Sequence, residues 1–174
     1  IGQDDVKLFT PAIVNLEHWF SENTINELGR IKAYIDNIED EDVRDFFKLC
    51  MASIIKKVSN ADDTSPKPYV SNKIIKVPPT VEKEFTSVFR RYKQMMQELT
   101  HVKKMGNTVI IQGDALEFSV PLGIDLAITS PPYINAFDYG RTMRLENLWL
   151  DTLTEEMLRE KTVSYTHLTL PTTE

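Results

Sequence analysis

Cysteine occurs once in the 174 residues, at Cys50, which excludes an internal disulfide framework and any cysteine zinc cluster. Histidine is nearly as scarce. His18, His101 and His167 are widely scattered, so no metal site is expected. No apolar run approaches the roughly 20 residues of a membrane span, and no signal peptide opens the chain, so a cytoplasmic protein is expected. An excess of positive charge is also missing: the formal net charge is −6, an awkward balance for a protein that would bind nucleic acid through its phosphates. The charge is unevenly spread. Residues 36–42 concentrate acid, whereas residues 56–104 hold 11 Lys or Arg against 5 Asp or Glu. Much of that charge belongs on solvated helix faces.

What is present reads as an ordinary globular chain of about one domain, 41% hydrophobic and 26% charged. Ile13, Leu16, Trp19 and Phe20 suggest a short helical piece. Ser21 opens a longer helix, with Ile25, Leu28, Ile31, Ile35 and Ile38 at the three-and-four spacing of one buried face. Asp42 is placed to cap a third helix, with Val43, Phe46, Phe47, Cys50, Met51, Ile54, Ile55 and Val58 along one side. Cys50 lies inside that stripe and reads as a core thiol rather than a nucleophile. Residues 59–80, rich in Pro, Ser, Asn and Asp, form a loop long enough to expect it near a functional site. Thr80 then caps a helix to about Lys104, with Val81, Phe85, Val88, Phe89, Tyr92, Met95, Met96, Leu99 and Val102 on one broad apolar face.

Thr108 to Gln112 is β-branched and predicts a strand ending in Gly113-Asp114-Ala115. A second short apolar run, Leu126 to Ile128, suits a strand buried on both faces of a parallel sheet. It is halted by Ser130-Pro131-Pro132-Tyr133. The two prolines fix φ and remove backbone donors, so the chain leaves the sheet at a stiff corner. Strand carboxyl ends are where open α/β sheets bind ligands. This corner offers a hydroxyl, uncommitted carbonyls and an aromatic ring, which together suit a planar, amine-bearing group. Helices are expected over residues 142–150 and from Thr154 to near Lys161.

Thr129-Ser130-Pro131-Pro132-Tyr133 resembles the fourth motif of the S-adenosylmethionine-dependent DNA amino-methyltransferases, Asp/Asn/Ser-Pro-Pro-aromatic. The similarity continues through Ile134 to Arg141 and Leu145 to Leu150, is strongest over residues 106–150 and fades back to about residue 12. The resemblance implies an α/β fold: part of a Rossmann-like methyltransferase sheet with a large helical insertion before it. It implies S-adenosylmethionine as donor without a metal, and double-stranded DNA with a flipped target base as partner, with a cognate restriction enzyme alongside. The Ser form of the motif favours cytosine N4 over adenine N6. By resemblance, Ser130, Pro131, Pro132 and Tyr133 are the catalytic set, and Asp114 accepts a hydrogen bond from the donor's adenine amine. Thr129, Asn135, Asp138 and Tyr139 would line the base or donor pocket.

The family's glycine turn, Phe-x-Gly-x-Gly, does not occur among these residues, and no ribose-binding acid is identifiable. Residues 1–161 are therefore expected to be a fragment of one catalytic domain, mainly helical over 12–104 with a strand-helix-strand core over 105–161, and inactive alone. Residues 162–174 resemble the translation of a transposon-end oligonucleotide used in sequencing libraries and are expected to be a scar. The alternatives are an RNA or protein amide methyltransferase of the same fold, or a non-catalytic helical module.

Overall fold

A computed structural model describes residues 7–73, 75–102, 106–111, 113, 117, 123–129 and 139–166, with backbone alone at 139 and 161–166. Every regular element among them is helical: α1 Leu16–Trp19, α2 Glu22–Asp36, α3 Glu41–Val58, α4 Val81–Thr100, α5 Tyr139–Thr142, α6 Arg144–Trp149 and α7 Glu155–Thr166.

The helices begin and end for local reasons. Ser21 caps α2, its Oγ accepting from the Thr24 amide at 3.3 Å. At the other end Asn37 Nδ2 donates to the Ala33 carbonyl at 2.7 Å and occupies one of the last turn's spare acceptors. Asp40, not Asp42, caps α3: its Oδ1 accepts from the Val43 amide at 2.9 Å, while Asp42 sits in the first turn with Glu41. Both acids still oppose the positive end of the helix dipole. Lys56 and Lys57 close α3, and Ser59 Oγ donates to the Lys56 carbonyl at 2.6 Å.

Helix α3 is the centre of the molecule, packed against α2, α4 and α6. Cys50, Met51, Ile54, Ile55 and Val58 are fully buried on it, the stripe that the spacing predicts. On the α4 side the Phe47 ring lies parallel to Phe89, with centroids 5.7 Å apart, and Lys57 pairs with Glu84 at 2.7 Å. On the other side α6 contributes Leu145 and Trp149, both fully buried, and the Phe20 ring meets Trp149 edge-on at 5.6 Å. Each such side chain gains about 1.5–3 kcal/mol by leaving water. The segment before α1 crosses α2 so closely at Gly29 that a Cβ there would stand 2.4 Å from the Phe9 carbonyl oxygen. Glycine is required at that crossing, and the Phe9 amide donates to the Gly29 carbonyl at 3.3 Å.

The expected α/β architecture is not found. Among the described residues there is no strand and no sheet, so the partial Rossmann-like assignment is overturned. Residues 108–111 and 126–128 are irregular, and their apolar side chains face solvent: Ile110 is 91% exposed and Ile128 is 88% exposed. β-branched content favours a strand only where a ladder partner and a covering layer exist, and the helices spend their apolar faces on one another. Helix α4 departs from expectation as well. Its first half packs through Val81 and Val88, but Met95, Met96 and Leu99 are about half exposed, because no described element lies opposite them. Helix α7 runs to Thr166, past the end expected near Lys161. Among the described residues no helix is long and apolar enough to cross a membrane.

Candidate active site and its flank

Of the residues singled out for chemistry, Ser130, Pro131, Pro132, Tyr133, Asn135, Asp138 and Asp114 lie outside the described residues. Thr129 ends an irregular, exposed stretch, and Tyr139 opens α5. What the structure supplies is the segment that follows from Tyr139 onward. From Tyr139 the chain turns through α5, which packs on α7, and enters α6, whose Leu145, Leu148 and Trp149 are sunk into the core. That segment is thereby fixed to the same core that α3 organises.

Arg144 is the pivot of this region. Its Nε donates to Glu155 Oε2 at 3.2 Å, its second guanidinium nitrogen also reaches Glu155, and its charge lies over the Trp19 ring at 5.7 Å. Glu155 Oε1 additionally accepts from the Val14 amide at 3.5 Å. One forked contact thus joins α1, α6 and α7, a geometry that arginine makes and lysine does not. Beside it opens a cleft of about 450 Å³ in which Lys67, Arg141 and Arg159 join Arg144, with Glu155 the one carboxylate among the described residues of its lining.

Lys67 belongs to the 59–80 loop, which is folded on itself rather than loose. The Asp62 carboxylate accepts from the Thr64 amide at 2.7 Å, from the Thr64 hydroxyl, and from the Tyr69 hydroxyl at 3.1 Å. These bonds, led by the Thr64 hydroxyl, hold the Asp62 carboxyl below its usual range, and the Asp62 bond pushes the Tyr69 phenol up. Lys76 reaches back with three donations, to the carbonyls of Ala61 at 2.9 Å and Lys56 at 3.1 Å and to Asp63 Oδ1 at 2.7 Å. Asn60 Nδ2 donates to the His18 carbonyl at 3.1 Å. The loop is pinned to α3 and α1, which carries Lys67 and Pro68 to the cleft.

Glu146 is the unusual ionisable group. It is 9% exposed, its Oε2 has no hydrogen-bond partner among the described residues, and burial pushes its carboxyl above the ordinary carboxylate range, with its own backbone amide and the Lys56 charge acting weakly against this. Burial likewise raises the Cys50 thiol, in keeping with a packing role. Among the described residues no group of three or more His, Cys, Asp or Glu side chains is placed to hold a metal ion.

Over 155 residues, 81% of its length, the chain is 28% identical to the type II methyltransferase M.MvaI of Kocuria varians. The relative is a methyltransferase. The chain spans about a third of that protein, 34% of its length. No family model matches, and no solved structure matches.

The basic cleft was not visible in the sequence. Lys67, Arg141 and Arg159 are far apart along the chain and form no charge run, and only the i,i+3 spacing of Arg141 and Arg144 hints at a shared face.

Proposed function

We propose that the chain is part of an enzyme that methylates an exocyclic amine of a DNA base, cytosine N4 in preference to adenine N6, with S-adenosylmethionine as donor. The observation that carries the reading is the similarity to a type II methyltransferase. The Thr129 to Tyr133 motif supplies the finer reading of target atom and residues.

S-adenosylmethionine supplies an electrophilic methyl group on a sulfonium. An exocyclic amine is a poor nucleophile because its lone pair is delocalised into the ring. The Ser130 hydroxyl oxygen and the Pro131 carbonyl accept from the two amine hydrogens, draw the nitrogen toward tetrahedral geometry and localise its lone pair. Pro131 and Pro132 keep those acceptors preorganised, which is what makes them effective in the transition state. Tyr133 stacks on the base, whose extrusion from the duplex costs a few kcal/mol. The nitrogen forms the new N–CH3 bond as the sulfonium S–CH3 bond breaks, S-adenosylhomocysteine leaves and one amine proton passes to solvent; no covalent enzyme intermediate is required, consistent with a chain whose one cysteine is buried in the core. Asp114 is well suited in donor chemistry, since a carboxylate accepts from an adenine amine; Thr129, Asn135, Asp138 and Tyr139 complete the pocket. Because the sequence contains no glycine turn, this stretch by itself binds the donor weakly and is inactive: one or two hydrogen bonds at about 0.5–1.5 kcal/mol each fall short of the roughly 8 kcal/mol of micromolar affinity.

The test is transfer of tritiated methyl from S-adenosylmethionine by the gene product that carries this chain, offered duplex DNA, RNA and protein in parallel. Label is expected in DNA. Label confined to RNA or protein would replace this reading with the amide or RNA alternative.

A further inference from the structure

We propose that the cleft lined by Lys67, Arg141, Arg144 and Arg159 is a contact site for the sugar-phosphate backbone of duplex DNA beside the target base; the proposal rests on the methyl-transfer reading above and deepens it. The cleft inverts the charge of the molecule. In a chain of net charge −6 its described lining brings four cations together against one carboxylate. That carboxylate, Glu155, is engaged by Arg144 through two nitrogens. Lys67 and Arg159 are exposed and form no ion pair with a described residue.

The cations come from four separate places: the 59–80 loop, α5, α6 and α7. Two of these places are fixed by interactions already described: the loop that carries Lys67 by the Asp62 and Lys76 ties, and Arg144 by Trp19 and Glu155. Assembly of like charge from four elements costs self-repulsion, and a polyanion spread along a line repays it better than a small anion does. Chain reach keeps the cleft near the target base: Arg141 is eight residues beyond Tyr133, so their Cα atoms lie within about 29 Å of each other, less than one turn of duplex. Contacts to the sugar-phosphate backbone position a duplex and carry no sequence information.

The experiment is fluorescence anisotropy of a labelled short duplex with the 174-residue chain and its K67Q/R159Q variant, between about 50 and 200 mM salt. Neither substituted residue lies in the catalytic set, and far-ultraviolet circular dichroism verifies the helices. The variant is expected to bind about tenfold more weakly near 100 mM salt, with the slope of log affinity against log salt reduced by about two, since each lost phosphate contact removes about 0.9. Identical slopes for the two proteins, or no duplex binding by the wild-type chain, would overturn the proposal. So would saturable binding of inorganic phosphate that the variant loses while its duplex affinity is unchanged. Failure here leaves the methyl-transfer reading standing if tritium enters DNA in the parallel assay, whereas absence of that label counts against the reading itself.

Discussion

Glu146 brings a carboxyl into the helical core, where burial raises its pKa and one oxygen lacks a partner among the described residues. The folded state therefore holds this proton more tightly than the unfolded chain does. The stability so gained is complete below the ordinary carboxylate range and is lost as pH rises through the raised folded value. Glu146→Gln, neutral throughout, should match the wild type in acid and exceed it increasingly as pH climbs, read as urea midpoints across a pH series; parallel profiles would show that the carboxyl is solvated after all. Gly29 gives a steric counterpart. With only 2.4 Å between a built Cβ and the Phe9 carbonyl oxygen, Gly29→Ala must push the 7–10 segment off α2 and should cost about 1–3 kcal/mol in thermal or urea unfolding. On the proposed mechanism, Ser130→Ala removes one of the two acceptors for the target amine and should lower the methylation rate about 10²-fold while leaving the KM for S-adenosylmethionine nearly unchanged. Cys50 was readable as a core residue from its stripe alone. Glu146 was not, because the sequence shows a carboxylate within an apolar helix but not which neighbours deny it water.

The helices were legible because their signals are local: an N-cap, a three-and-four apolar spacing and a stop. Displacement of the α3 cap from Asp42 to Asp40 reflects two aspartates within three residues, either of which can accept from the first-turn amides. Ser21→Ala should cost about 1 kcal/mol, measured by chemical denaturation, since it orphans the Thr24 amide. Strands carry no such self-sufficient signal. Thr108 to Ile111 and Leu126 to Ile128 have strand composition, yet their state depends on what lies beside them, and no strand pairs with them among the described residues. The 59–80 loop was legible as a loop and not as a rigid one. Its order comes from Lys76 satisfying two carbonyls and a carboxylate far away in sequence. Lys76→Ala should loosen it, seen as faster amide exchange over residues 61–69 while α2 and α3 stay protected.

Across the whole molecule, a net charge of −6 argues against nucleic acid until the fold partitions it, placing acid on the turn into α3 and four cations around one cleft. Spatial assembly of that kind is beyond a linear reading, since Lys67 and Arg159 meet only after α3 has gathered α2, α4 and α6 around it. The Ser130–Tyr133 motif stands in the sequence as four consecutive residues and lies outside the described residues, and the similarity to a type II methyltransferase is independent of any strand assignment. The measurement that bears most directly on the central claim is nucleoside mass spectrometry of DNA from cells expressing the gene product that carries this chain, beside its Ser130→Ala variant. N4-methylcytosine present with the first and lost with the second is the predicted result; DNA containing neither N4-methylcytosine nor N6-methyladenine above the level of cells lacking the gene would contradict it.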